Sequence, residues 1–445
     1  MRQRRLLIML LCLAAAAPAG ASQSLTVRDA MQRARESGRE VAAATSRAEA
    51  GKVRLASARG FRLPSLRLEE NFIRTDSPAE VFALKLNQER FSFADFVVTD
   101  PNHPAALDTA ITRLELALPV YTGNDLSSRI GQADAAAKAA DDSLVWAGNQ
   151  AAFEAAQAYV DLAQAQEFVT LLEQSWKTIE AHVDHARSYA EQGMLVRSEL
   201  LRAEVELARI DDMLQEARGR VRLASANLAF RLGADQGTEW SLAPLPAPPV
   251  PTDDLTALLD SAASRPDLRA AQSMLRAGEL EASVRRSAFL PRVGVVARGD
   301  LVDDKLFGSN GSSASIMAQA SINLFSGGSD RAAVRAAEWD AKAGREDVAR
   351  FREGVLLQVR QAWEEAATAR AREKTAAQSV AAATEAERIV AERFSTGVVK
   401  MLDVLDAANA RREAETRELV ARAEANAAAF RLALAAGRAP ESALP

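Results

Sequence analysis

The sequence predicts a mainly helical chain that is internally duplicated and carries a small membrane β component. Three observations predict it: a repeat of constant offset, helical stretches far longer than a globular core needs, and four short segments of strict apolar and polar alternation. The 445 residues are 48% hydrophobic and 26% charged, with 22 Gly and 15 Pro, which excludes collagen-like and disordered classes. A single cysteine, Cys12, leaves no intrachain disulfide. With 55 Lys and Arg against 60 Asp and Glu the chain is mildly acidic, which argues against nucleic acid as a partner. Three His and one Cys do not supply a metal centre of several soft ligands, and no cofactor motif or nucleophile–base constellation is present.

Residues 1–21 read as a signal peptide: Arg2, Arg4 and Arg5, an apolar run from Leu6 to Ala17, then small residues through Ala21. Leu10 and Leu11 precede Cys12 where a lipoprotein signal needs small residues, so cleavage without a lipid anchor is expected. Beyond this run no apolar stretch approaches the length of a membrane-spanning helix.

At an offset of 204, Val120-Tyr121-Thr122-Gly123 meets Leu324-Phe325-Ser326-Gly327, Gln157 meets Gln361, Gly193 meets Gly397, Leu201 meets Leu405 and Gly233 meets Gly437. Upstream the offset is 227: Glu40 meets Asp267, Gly51 meets Gly278, and Leu63-Pro64 meets Leu290-Pro291. The first copy, 22–242, and the second, 253–445, therefore share one plan, with 23 extra residues in the first between its two anchors and a Pro-rich linker at 243–252. Each copy opens with a helical stretch, 26–62 or 253–289. Strands follow at about 65–74 and 111–121, and at about 292–301 and 315–325.

The strand segments alternate with period two. Leu66, Leu68 and Phe72 interleave with Arg67, Glu69 and Asn71; Leu114, Leu116, Leu118 and Val120 with Arg113, Glu115 and Ala117. In the second copy Val293, Val295, Ala297 and Leu301 form one series, and Ile316, Ala318, Ala320, Ile322 and Leu324 the other. Each run has the length of a tilted transmembrane strand. Residues 61–125 and 289–325 hold 9 of the 15 Phe, and Phe72, Tyr121, Phe289 and Phe325 stand at interfacial positions. Phe82, Phe91, Phe93 and Phe96 fall in the insert at 75–109, expected as an outer-face loop.

Four strands cannot close a barrel, and open edges are not tolerated in lipid, so several chains must share one. Two chains would give eight strands and a filled interior; three give twelve and a lumen, which suits a conduit.

Long helices are expected at about 124–190 and 198–233, and at about 329–394 and 402–437. They lack Pro, are rich in Ala, Glu, Gln, Arg and Leu, and carry alanine seams such as Ala151, Ala155, Ala158 and Ala165. Sixty-seven helical residues extend about 100 Å at 1.5 Å each. Trp146, Trp176, Trp339 and Trp363 read as packing residues, and Tyr159 corresponds to Trp363 in the repeat.

The duplicated strand–loop–strand followed by paired long helices, the turns Gly193-Met194-Leu195 and Gly397-Val398-Val399, and the segment Leu402-Asp403-Val404-Leu405-Asp406-Ala407 resemble the TolC family of outer-membrane efflux proteins. The likeness covers essentially the whole chain after the signal. It implies a homotrimer: a 12-stranded β-barrel in outer-membrane lipid, four strands per chain, continued by a long α-helical barrel in the periplasm. It also implies a passive exit duct for efflux or type I secretion. A periplasmic adaptor and an inner-membrane transporter are the implied partners.

In the family, acids at the positions of Asp403 and Asp406 ring the periplasmic mouth; Ser198 and Glu199 open the counterpart segment Ser198-Glu199-Leu200-Leu201 in the first copy. Solvated acids on a helix face are the plain alternative. Gly193, Met194, Leu195, Gly397, Val398 and Val399 are the implied adaptor contacts, against simple turn packing. Phe394 replaces a family Tyr and Val399 a family Arg, so Arg197 and Lys400 become the candidates for the gate lock. His182 and His185, three apart, read as an ordinary surface pair, not a metal site. The alternative from another class is a periplasmic coiled-coil adaptor or scaffold, against which the four alternating strands argue.

Overall fold

A computed structural model describes residues 24–97, 100–247 and 254–444, so the signal peptide reading and the second half of the Pro-rich linker lie outside the described residues. The first copy runs α1 (Val27–Ser37), α2 (Arg39–Gly60), β1 (Ser65–Thr75), α3 (Pro78–Asn87), α4 (Ala94–Val97), β2 (Leu107–Tyr121), α5 (Asp125–Glu191) and α6 (Arg197–Leu232). The second runs α7 (Leu255–Ala262), α8 (Pro266–Arg286), β3 (Arg292–Asp303), β4 (Gly311–Ser321), α9 (Ser329–Ser395) and α10 (Met401–Ala435). Among the described residues no helix is long and apolar enough to cross a membrane.

The duplication is visible in the backbone. Helices α5 and α9 both have 67 residues, and their ends differ by 204 at each terminus. Three repeat-related glycine pairs share left-handed φ: Gly123 and Gly327 at 63° and 64°, Gly193 and Gly397 at 73° and 76°, Gly233 and Gly437 at 67° and 76°. Each follows or precedes a long helix, where a chain reversal needs a conformation that a Cβ opposes.

The single helical stretches expected at 26–62 and 253–289 are each two helices. Gly38 is extended at φ −62°, ψ 128° between α1 and α2. Arg265, 227 residues later, is extended at φ −55°, ψ 138° because Pro266 excludes helical backbone from the residue before it.

The contacts divide the chain into two units. The sheet unit comprises Glu40–Ala147 and Thr256–Val359; the turn unit comprises the described parts of Met1–Arg39, Gly148–Leu255 and Arg360–Pro445. In the sheet unit the four strands are antiparallel in the order β1-β2-β3-β4, leaving one free edge on β1 and one on β4. The helices follow the same order. α2 lies on α5 through Gly51 at Ala137 and the Lys52–Asp141 pair at 3.6 Å. α8 lies on α5 through Arg269–Asp142 at 2.7 Å and Gln132–Glu281 at 2.9 Å. α9 lies on α8 through Arg345–Glu279 at 2.9 Å.

Strand β4 occupies Gly311–Ser321, four residues N-terminal of the expected span, and β2 begins four residues earlier than expected. The ladders explain both. Pairing of β4 stops where β3 begins, at Arg292 opposite Ser321, and hydrogen bonding to β3 recruits Ser312 and Ser313, which apolar alternation does not mark. Strand β2 starts at Leu107 because β1 continues to Thr75 opposite it.

The insert is a helical cap. Gln88 is fully buried and donates Nε2 to Thr109 Oγ1 at 2.7 Å and to the carbonyl of Asp108 at 3.0 Å, while Asn310 Nδ2 donates to the Gln88 carbonyl at 2.7 Å. Phe82 and Phe91 pack edge to face at 5.2 Å. Gly311 admits this contact: a Cβ there would lie 1.9 Å from the Asn87 carbonyl oxygen. Gly311→Ala should therefore displace the cap from β4 and lower thermal stability by about 1–3 kcal/mol, the usual cost of overpacking; an unchanged melting temperature together with unchanged protease resistance at residues 78–97 contradicts it.

In the turn unit the core is alanine-rich: Ala152, Ala155 and Ala156 are fully buried beside Tyr159 and Leu162. The Tyr159 hydroxyl donates to the carbonyls of Leu25 at 2.9 Å and Ala243 at 2.5 Å, joining the segment before α1 to the linker. Burial pushes its pKa up to about 12, so it stays a donor. Trp146, Trp176 and Trp363 are half-buried, but Trp339 is 66% exposed. The expectation that Trp339 packs within the chain is corrected: α9 meets α8 along one side only, through Glu338 and Arg345, and the indole faces outward with Lys342 over its ring.

Candidate functional site

Two regions carry functional geometry, one in each unit. In the sheet the register brings every alternating apolar series onto one face. Leu66 opposes Leu116 and Leu68 opposes Leu114. Leu116 opposes Ala297, Leu118 opposes Val295, and Ala297 opposes Ile316. Leu66, Leu68, Phe72, Leu114 and Ile316 on this face are between 47% and 82% exposed, so none of the described residues covers it. An uncovered apolar sheet face of four strands is unstable in water and suited to hydrocarbon.

The opposite face is charged in a chequered pattern. Arg67, Glu115 and Arg298 form one cross-strand row, and Glu69, Arg113 and Asp300 the next. Arg113 is bidentate to Asp300 at 2.8 and 3.1 Å, and Arg298 Nε donates to Glu115 at 2.7 Å. These pairs escaped the sequence reading. The signal was there: 113 with 300 and 115 with 298 share one sum, the mark of an antiparallel ladder, and each joins opposite charges.

The turn unit holds two helix reversals. At the first, Met194 N donates to the Tyr189 carbonyl at 2.8 Å; at the second, Val398 N donates to the Arg393 carbonyl at 3.0 Å. Met194 and Val398 are 63% and 70% exposed, Gly193 and Gly397 are exposed, and Val399 is half-buried. Leu195 is half-buried against a core of Ile179, Val183, Ala186, Met401, Val404 and Leu405, so its side chain serves the fold and not the exposed tip. Phe394 joins the same core and meets Tyr189 at 6.1 Å between ring centroids.

Asp403 and Asp406 are exposed on the first turns of α10, and Ser198 is exposed and Glu199 half-buried at the start of α6. Lys400 N donates to Asp403 Oδ2 at 2.9 Å, so this carboxylate also caps the helix, where the N-terminal dipole favours it. Arg197 and Lys400 are exposed, and among the described residues neither forms an ion pair within the chain.

Behind the turns the helices are joined by ion pairs that residue spacing did not reveal. Arg412, 8% exposed, reaches Glu206 at 3.2 Å; Arg411 holds Glu387 and Glu415, each at 2.8 Å. These partners lie on three different helices, which no local pattern links. Burial lowers the pKa of His182, opposed by the charge of Glu387, while His185 is exposed. Among the described residues no group of three or more His, Cys, Asp or Glu is placed to hold a metal ion.

Comparison with known proteins agrees with this geometry. Residues 258–438, most of the second copy, match the family model described as outer membrane efflux protein. The chain is 26% identical over 262 residues to the outer membrane efflux protein BepC of Brucella suis biovar 1 (strain 1330), a match covering 58% of this chain and 56% of BepC. Among solved structures, a membrane protein of Pseudomonas aeruginosa superposes with a TM-score of 0.77 at 20% identity, over 92% of each chain. The Campylobacter jejuni CmeC outer membrane channel superposes with a TM-score of 0.78 at 15% identity, over 92% of this chain and 85% of CmeC. The second copy is thus matched in sequence to outer membrane efflux proteins, and the chain shares the fold of the superposed structures, with a duplicated strand-pair and long-helix plan.

Proposed function

We propose that the chain is one subunit of a trimeric outer-membrane exit duct, which passes substrates delivered by an inner-membrane transporter through a periplasmic adaptor. The observation that carries this reading is the sheet: an exposed apolar face across four strands, a charged reverse face, and two free edges. Unpaired backbone in hydrocarbon costs several kcal/mol per group, so these edges must be paired by other copies. Three copies give twelve strands and an open lumen. The apolar face then meets lipid and the chequered face meets water.

The charges on that lumen face cancel, row against row, so the barrel wall exerts little selection by charge. Selection falls to the turn unit. There the exposed Asp403 and Asp406, repeated by threefold symmetry, place six carboxylates around one mouth, with Ser198 and Glu199 beside them. Met194 and Val398, exposed at neighbouring reversals, supply the apolar contacts for the adaptor. Arg197 and Lys400, exposed and without an ion pair among the described residues, are the cations that hold the resting mouth across subunits.

A periplasmic scaffold of the same helices would have no use for the exposed apolar sheet face. Fractionation separates the two: a detergent-extracted, heat-sensitive trimer supports the duct, and a water-soluble chain refutes it. Replacing Asp403 and Asp406 with Asn should shift the reversal potential of bilayer-inserted protein toward lower cation preference, with conductance retained. Unchanged reversal potential in a potassium chloride gradient would remove these two residues from the mouth.

A further inference from the structure

We propose that the insert at 75–109 is an inward-folded seal. In the shared barrel, α3 and α4 of three copies meet on the central axis, where Phe82, Leu86, Phe93 and Val97 close the outer mouth. This inference rests on the shared-barrel reading above and gives a function to the extra residues that only the first copy carries.

The face of the sheet that the insert covers follows from side-chain parity. Thr109 stands four residues from Arg113, Val302 two from Asp300, and Gly311 four from Ser315, which opposes Arg298. All three positions therefore point to the charged face. The insert meets that face at both ends of its contact: Gln88 donates to Thr109 Oγ1 at 2.7 Å, and a Cβ on Gly311 would lie 1.9 Å from the Asn87 carbonyl oxygen. Arg90 adds an ion pair to Asp304 at 2.9 Å, two residues beyond Val302, which is 4% exposed. Because the charged face lines the lumen, the insert lies inside it. The second copy's loop at the same end, 304–310, takes the opposite side. There Phe307 N donates to Glu70 Oε1 at 3.1 Å, and Glu70 shares its parity with Leu66, Leu68 and Phe72.

The dimensions leave no open axis. Helix α3 begins three residues after β1 ends, and its last residue, Asn87, stands at the first residue of β4, so it crosses the sheet. Its ten residues span about 15 Å, against about 14 Å for the three strand spacings from β1 to β4. Twelve strands about 4.8 Å apart and tilted about 40° close into a backbone cylinder of about 12 Å radius. A helix with its side chains is about 10 Å thick, so one laid on the wall reaches nearly to the centre. Three copies then meet there.

The surface they present is apolar. Phe93 and Val97 are 84% and 86% exposed, and Phe82 and Leu86 are exposed beside them. Phe91 packs edge to face against both Phe82 and Phe93, with 5.2 and 6.2 Å between ring centroids, which fixes the aromatic group as one body. Lys85 holds Asp95 at 2.7 Å and ties α3 to α4, so these charges are neutralised within the insert. Exposed to a wet lumen, this patch has no cover; on the axis, each copy covers it with the patches of the other two. A constriction of apolar side chains excludes water and ions.

The full-length protein in outer-membrane vesicles, carrying Val97→Cys, should form covalent dimers between copies on oxidation, since three thiols on one axis pair two at a time. Leu306→Cys, on the loop of the opposite side, should not link, because the barrel itself separates its copies. The unsubstituted chain, with Cys12 alone, is the blank. In intact cells, fluorescein maleimide added outside should label Ser315→Cys, on the lumen face below the insert, severalfold faster when Phe93 and Val97 are both replaced by Ser. Leu306→Cys sets the unobstructed rate. A native trimer that does not link through Val97→Cys, or that links more strongly through Leu306→Cys, overturns the inward side of the insert. Labelling of Ser315→Cys that the two serines leave unchanged overturns the seal. A monomeric chain overturns the shared barrel, a separate result.

Discussion

Arginine at Leu116 should prevent the chain from reaching its membrane form, while arginine at Ala117 should be tolerated. Leu116 stands in β2 with Leu66 on one side and Ala297 on the other, on the apolar face. Ala117, the next residue, points to the charged face between Ser65 and Val296. A charged side chain on a lipid-facing strand costs about 2–4 kcal/mol at the bilayer midplane, and the cost recurs in every subunit. Ala117→Arg adds a cation to a wall that already carries Arg113 and Arg298. The measurement is the yield of detergent-extracted trimer and its unfolding midpoint in urea. Equal loss from both substitutions would mean that the two faces do not have different solvents.

The second large effect is expected at Arg265, a residue that sequence reading passed over. It is 3% exposed, and three elements of the sheet unit meet at its guanidinium. Its Nε and Nη2 donate to Asp267 at 3.0 and 2.6 Å, Nη1 donates to Gln358 of α9 at 3.1 Å, and the group stacks over Trp146 of α5 at 4.6 Å. Arg265→Ala leaves the half-buried Asp267 carboxylate without its cation and with only the Leu268 N–H as a donor, which costs about 2–3 kcal/mol, below the roughly 3–5 kcal/mol of a fully buried pair. Arg265→Lys keeps the charge but loses the planar fork and the stacking, so it should recover only part of the loss. Thermal unfolding of the trimer in detergent checks the order wild type, Lys, Ala; a lysine variant as stable as wild type would reduce the site to a point charge.

Strands β1 and β3 start where alternation begins, because an apolar series is a local property of the chain. Strand β4 did not follow its alternation to the end, because a ladder also needs a partner, and β3 runs out at Arg292. The breaks at Gly38 and Arg265 were overlooked since each helical stretch is rich in helix formers on both sides. Among the site residues, Asp403 and Asp406 are exposed on the first turns of α10. Leu195, read as a tip residue, turned inward because the reversal at Gly193 aims it at the core around Met401.

What the amino-acid sequence determined by itself was the class and its repetition: periodicity marks helix and strand, and a constant offset marks duplication, both readable without knowing what touches what. The tertiary structure alone decided which charges meet. Arg113 finds Asp300, Arg412 finds Glu206 and Arg265 finds Trp146 across separations of 187, 206 and 119 residues. Such pairings depend on register and helix packing, which arise when the whole chain is folded and leave no trace in any short window of residues.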